Sequence, residues 1–375
     1  MHHALSRFTV IHPIIAQLLI SLAAFSASLA NAVAAPESLD SEQEKPVILV
    51  ASSERGVATL SSDLDIGITI SSDIPLQSGT AMEGAFRETE AQLLGAKQRL
   101  IFEGTGRWGV VRLYPQPSLI PQLMLDLVVL QSDGRQLRVH ATLTGVHGDT
   151  LLSETYLEYA SSEDVLTVGS EAPFTDLFHR IHNDVATKVA LMPESEDYLR
   201  QLSFLRYAQQ LAPDAFEDYL SHDGVSWQLR RAPAEQDPMY QRIAKLREYE
   251  LLFVDTIDEQ LTSALREIDT AYRLWLRASK EQLDWLEKRR ARGVNAEGFT
   301  DDSAFARHQA VYAAYRSLKI HEQELFELVL DLESESRSTA LAVEETVVTL
   351  EGTLEQQYRE WREALAKIMM LENVF

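Results

Sequence analysis

The stretch Met124 to Tyr159, MLDLVVLQSDGRQLRVHATLTGVHGDTLLSETYLEY, decides the first half of the fold. Apolar runs at Met124 to Leu130, Leu137 to Leu143 and Leu151 to Tyr159 are parted by Asp133-Gly134 and Gly148-Asp149. An Asp-Gly pair supplies the positive φ that a tight hairpin turn needs, so these runs predict a meander of strands. Outward toward the N-terminus, Ile66, Ile68 and Ile70 alternate with Gly67 and Thr69 at the period of a strand. A helix is expected from about Ala81 to Phe102, with Phe86, Leu93, Leu94, Leu100 and Ile101 on its apolar face, and Val110, Val111 and Leu113 form a strand ended by Pro115. Outward toward the C-terminus, Phe174, Leu177, Phe178, Ile181, Val185 and Val189 recur at three and four residues, a helix opened by Pro173 and closed by Pro193. The order β-α-β-β-β-α predicts an α/β layer domain over 63–192, with helices covering a mostly antiparallel sheet.

Beyond Pro193 the pattern turns helical and strands are not expected. Tyr198 to Leu211 and Pro213 to Leu220 read as short helices, followed by a polar connector through Asp223-Gly224 to Pro238, so 193–238 joins two larger units. Tyr240 to Arg292 contains neither Pro nor Gly, and apolar or small residues recur from Tyr249 to Leu286 about every 3.7 residues, close to the natural helical turn. Gly293 to Thr300 reads as a loop, and Asp301, Asp302 or Ser303 can cap the next helix. There Val311, Tyr315, Leu318, Glu322, Leu325, Val329 and Leu332 form a seam that resumes from Val343 through Val347, Leu350, Leu354, Tyr358, Trp361, Leu365 and Ile368. The expectation for 239–375 is a long antiparallel helical hairpin, coiled-coil-like, that projects from the first domain or folds back beside it. The alternative is a compact bundle whose second helix breaks near Glu333 to Thr339 and Gly352. The whole chain is thus read as α+β, an α/β layer domain followed by an all-α region.

Composition narrows the function classes. The 375 residues are 45% hydrophobic and 24% charged, which suits a chain that buries a core. Fifty-seven acids against 34 bases leave a net charge of -23, and a nucleic-acid backbone would be repelled. The first residues carry one charge, Arg7, then an apolar run from Ile14 to about Ala30, then the small-x-small triplets Ala30-Asn31-Ala32 and Ala32-Val33-Ala34. That layout predicts a Sec-type signal peptide over 1–34, with an uncleaved membrane anchor as the alternative. A polar leader follows over 35–62, opening on an acidic, Ser-rich stretch from Glu37 to Lys45 that is too polar to pack, and no integral membrane span is expected after cleavage. Cysteine is absent, which excludes a lipid-bearing N-terminal Cys, disulfides and thiol chemistry. The compartment expected is the Gram-negative periplasm.

Sequence motifs for catalysis are weak. Gly104-Thr105-Gly106-Arg107-Trp108-Gly109 spells GxGxxG, but it follows a helix and precedes a strand, the reverse of a dinucleotide loop. It is read as a turn with Trp108 anchored in the core. Asp176, His179 and His182 stand three apart on one helix and are the metal candidates, although the preferred reading is a solvated polar face. His321-Glu322 begins a zinc-protease helix, and Leu325 takes the place of its second histidine. Glu344-Glu345 and Asp301-Asp302 are ordinary in so acidic a chain. No cofactor is expected. The aromatics Trp275, Trp285, Tyr312, Tyr315, Tyr358 and Trp361 are read as packing within the hairpin, except Trp285, which stands near the tip beside Lys288, Arg289, Arg290 and Arg292. That cluster is the partner-contact candidate, though cations at a helix C-terminus have a local reason as well.

Leu64 to Ile70, Thr105 to Arg112, Ser132-Asp133-Gly134, Pro173 to Phe178, Ile181 to Asp184, Leu252 to Glu259 and Gln356 to Arg362 resemble a group of exported proteobacterial proteins of uncharacterised role. At fold level the first domain resembles the small periplasmic α/β domains of curli-secretion, flagellar-assembly and penicillin-binding-protein-activator lipoproteins. Those relatives usually carry a lipid-bearing Cys, and this chain has none. The resemblance implies envelope assembly or accessory roles and no catalytic residues. Three functions are therefore expected, in order: a non-enzymatic envelope adaptor acting through protein contacts or helix self-association, a periplasmic small-ligand or cell-wall-glycan sensor, and last an enzyme.

Overall fold

The computed structural model describes residues 47–50, 62–76, 79–160, 174–234, 237–293, 301–343 and 346–371. The expected signal peptide, most of the leader, Pro173, the loop 294–300 and Glu344-Glu345 lie outside the described residues, as do the side chains of Lys288, Arg289, Arg290, Arg292, Tyr312 and Tyr315.

The described elements are β1 (Val47–Leu49), β2 (Ile66–Ser72), α1 (Ala81–Gly104), β3 (Val111–Leu113), β4 (Leu123–Ser132), β5 (Gln136–Gly145), β6 (Thr150–Tyr159), α2 (Thr175–Val189), α3 (Glu196–Leu211), α4 (Pro213–Phe216), β7 (Leu220–His222), β8 (Trp227–Leu229), α5 (Pro238–Gly293), α6 (Asp301–Glu335), β9 (Ser338–Val343), β10 (Thr346–Glu351) and α7 (Leu354–Leu371). The fold is mixed α and β.

The main sheet has the order β1-β6-β5-β4-β2-β3. The meander β4-β5-β6 is antiparallel, whereas β1 pairs parallel with β6 and β2 pairs parallel with both β3 and β4. The sheet is therefore mixed, a correction to the mostly antiparallel expectation. A helical crossover such as α1 returns the chain in its original direction, so it forces parallel pairing where a hairpin cannot. The extent of the polar leader is corrected too, because Val47-Ile48-Leu49, within 35–62, is paired with Thr155-Tyr156-Leu157 and joins the sheet; Glu37 to Lys45 lies outside the described residues. Period two sets the faces. Ile66, Ile68, Leu125, Leu127, Val129, Val139, Ala141 and Leu143 share the side buried beneath α1 and α2. The opposite side carries Thr69, Asp126, His140, Thr142, Ser153 and Thr155, joined among themselves by bonds such as Thr69 Oγ1 to Asp126 Oδ1 at 2.6 Å. Gly95 has no room for a side chain, since a Cβ there would lie 2.7 Å from Ile70 Cγ2, and α1 sits correspondingly close to β2.

Strands do recur after Pro193. β7 and β8 form a small hairpin turned at Asp223-Gly224, and it is stitched to the β5–β6 turn by Trp227 N–H donating to His147 O at 2.9 Å. The segment expected to continue the last long helix is instead the antiparallel hairpin β9–β10. Thr339, Val343, Thr346, Val347, Val348 and Thr349 crowd it with β-branched side chains, which lose χ1 freedom in a helix and fit a pleated strand. Gly352, at φ +111, closes the hairpin, and Thr353 caps α7 by accepting from Gln356 N–H. The all-α expectation for 239–375 is corrected accordingly.

Helix α5 is 56 residues long, about 84 Å at 1.5 Å per residue. It lies along the α/β domain antiparallel to α1. Its side chains meet Ser118, then Arg112 on β3, then α1 in descending order at Arg99, Lys97, Glu90 and Phe86, and finally the β4–β5 turn at Arg135. The aromatics are buried there and not within a hairpin alone: Trp275 packs edge-on against Phe86 with centroids 5.2 Å apart, and Trp361 Nε1–H donates to Tyr249 O.

Two buried carboxylates fix this arrangement. Glu250 of α5 is 1% exposed and accepts from Tyr358 Oη at 2.5 Å, Tyr207 Oη at 2.9 Å and Ser118 Oγ at 3.3 Å, with Arg362 Nε 3.8 Å away. Three separate parts of the chain, the β3–β4 loop, α3 and α7, thereby converge on one side chain of α5. Glu90 of α1 does the same for Arg87, Ser132 Oγ and Tyr272 Oη. Glu250→Ala is expected to cost about 3–5 kcal/mol, since it strands buried donors around an emptied site. Glu250→Gln should cost distinctly less, because its amide oxygen still accepts. Urea unfolding at neutral pH measures both.

Candidate functional site

The structure separates the sequence candidates. Asp176, His179 and His182 all lie on α2, but Asp176 and His182 are buried and only His179 is half-exposed, which corrects the solvated-face reading. His182 Nε2 accepts from Trp108 Nε1–H at 3.1 Å, and its ring meets Phe102 edge-on with centroids 4.9 Å apart. Burial lowers its pKa, which favours the neutral ring. The loop from Gly104 to Gly109 folds over α2 and gives that helix a second buried face, which its own apolar periodicity cannot reveal. Gly106, at φ +59, makes that loop a turn, and Trp108 is its anchor. Among the described residues no group of His, Asp and Glu is arranged to hold a metal ion. Trp285 is half-buried on α5; the cationic side chains beside it lie outside the described residues.

What the structure assembles without any sequence motif is a row of ion pairs between α5 and the α/β domain. Asp255 pairs with Arg112 at 2.6 Å, Asp258 with Arg99, Asp269 with Lys97 at 2.7 Å, and Asp284 and Glu287 with Arg135. The helix contributes the acids and the domain contributes the bases. The more exposed pairs at Arg112 and Arg135 add little stability each, Asp258–Arg99 and Asp269–Lys97 are largely shielded from solvent, and the spacing of the row fixes which turn of α5 meets which turn of α1.

Between α1, the start of α2 and α5 this row leaves a cleft of about 380 Å³. Its floor is apolar, formed by Leu93, Ala96, Ile101, Phe178 and Leu265, with Leu100 at the rim. Its polar walls are Lys97, Arg99, Arg266 and Arg273 against the single carboxylate Asp269. Lys97 is largely desolvated, which lowers its pKa, while Asp269 opposes that shift. A shallower pocket continues past Arg99, Thr262 and Arg266 to Asp255, Asp258 and Glu259. A larger cleft, about 640 Å³, opens between the start of α1, the end of α6 and the start of α7, with Glu88, Glu333 and Glu351 on its walls. Burial, then Glu355 and Glu333, raise the Glu88 pKa.

Asp258, in the adjoining shallower pocket, is strongly perturbed. Burial pushes it up to about 6, against the pull of Arg99 and with further upward pressure from Glu103 and Asp255. A carboxyl that holds its proton more tightly when folded stabilises the fold at low pH and loses that contribution as pH rises from its ordinary 3.8 through about 6. Asp258→Asn should therefore flatten the fall in melting temperature across that interval, and calorimetric melts from pH 4 to 7 would register it.

Comparison with protein-family models, with curated proteins and with solved structures finds no match to this chain, so its functional reading rests on the geometry above.

Proposed function

We propose that this chain is a non-enzymatic adaptor of the cell envelope, exported to the periplasm, that works by holding a partner at a fixed distance from its α/β domain. The observation that carries the reading is the unbroken α5, tied to that domain from Glu250 through Glu287 by buried carboxylates and ion pairs. A helix braced along most of its length cannot swing, so whatever it carries at its far end keeps a set separation from the sheet. That end carries Trp285, Lys288, Arg289, Arg290 and Arg292 in an otherwise acidic chain. Concentrated positive charge with an aromatic neighbour suits an acidic protein surface, since complementary patches accelerate encounter and fix orientation. No helix among the described residues is long and apolar enough to cross a membrane.

A photo-crosslinker placed at Arg290 in living cells should trap one discrete adduct. That adduct should disappear when Lys288, Arg289 and Arg292 are changed to Glu, with the thermal melt unaltered. The same adduct pattern before and after the charge reversal would count against the proposal.

A further inference from the structure

We propose that the cleft between α1, α2 and α5 binds a single-tailed, medium-chain fatty carboxylate, its alkyl tail on the apolar floor and its head group on Arg266. This site is independent of the adaptor role and goes beyond it. At about 380 Å³, with an apolar floor and a few polar groups at its margin, the cleft falls in the range of small-ligand sites. Its floor presents Leu93, Ala96, Ile101, Phe178 and Leu265, and Leu100 remains 57% exposed at the edge, where a tail would cover it.

Charge selects the head group. A chain of net charge -23 disfavours anions generally, so an anion can bind only where the local arrangement overrides that field. Here it does. Lys97 and Arg273 share one carboxylate, Asp269, at 2.7 and 2.8 Å, which leaves an excess positive charge on the cleft's own walls, while Asp255, Asp258 and Glu259 lie beyond Arg266 in the adjoining pocket. Arg266, exposed on the same wall, makes no hydrogen bond or ion pair with any described residue. A guanidinium fork matches a carboxylate with two parallel N–H donors.

The floor excludes other occupants. An extended peptide would bring backbone N–H and C=O groups over side chains that cannot hydrogen-bond them, a desolvation cost with no return. An alkyl chain has no such groups. A single tail also suits a cleft of this volume better than the paired tails of a phospholipid.

Isothermal titration of the full chain with laurate, kept below micelle formation, tests this. Dodecyltrimethylammonium, which has the same tail and the opposite charge, is the control. Saturable one-to-one binding of laurate is expected, with no binding of the control. Arg266→Ala should weaken laurate binding at least about tenfold, the effect of losing one charge-assisted contact. Leu100→Asp should abolish it, and both variants should melt like the parent because both residues are exposed. Failure of the parent chain to bind laurate would overturn the proposal, as would equal binding by the two variants or by the cationic amphiphile. The crosslinking outcome at Arg290 bears on none of these results.

Discussion

A carboxylate taken out of water must be solvated again by the protein, and Glu250 meets that demand only if three distant segments arrive together. Ser118 comes from the β3–β4 loop, Tyr207 from α3, and Tyr358 and Arg362 from α7. Burial and the nearby Glu250 charge hold both tyrosine hydroxyls in the protonated, donating form. The acid and its donors are thus mutually dependent. Glu90 repeats the device farther along, where Tyr272 of α5 and Ser132 of β4 reach it. Apolar burial alone would let a long amphipathic helix slide by a turn at small cost. A pair of buried carboxylates removes that freedom, because any slip leaves charges without donors.

With α5 fixed, the remaining architecture follows. The ion pairs at Asp255, Asp258, Asp269 and Asp284 fall into register with Arg112, Arg99, Lys97 and Arg135. Phe86 is enclosed by Trp275 and Phe326, so α1 is covered by α5 and α6 as well as by the sheet. The cleft is a product of the same docking. Its apolar floor comes from α1, α2 and α5 together, and its cations come from α1 and α5 only when the two helices run antiparallel.

Much of the first domain was legible because its signals are local. Asp133-Gly134 sits in a hairpin turn, the isoleucines of β2 alternate as a half-buried strand must, and α2 keeps its apolar residues three and four apart. Some missed elements had signals as well. Asp223-Gly224 between Leu220 and Trp227 is the same turn chemistry as Asp133-Gly134, and the apolar triplet Val47-Ile48-Leu49 stands out in a polar leader. In β9–β10, the β-branched run outweighed an apolar spacing that also fits a helix. Short apolar segments satisfy both periods, so only the partner strand decides.

By itself the sequence determined the meander, the helical period of α5 and the acidic character of the chain, since each depends on neighbours in the sequence or on composition alone. Only the tertiary structure decided that α5 lies against α1, that His182 is buried beneath Trp108, and that Glu90 and Glu250 are solvated by hydroxyls. Those contacts join residues from tens to well over a hundred positions apart. Their energy depends on which groups share a water-excluded space, and no local pattern records that.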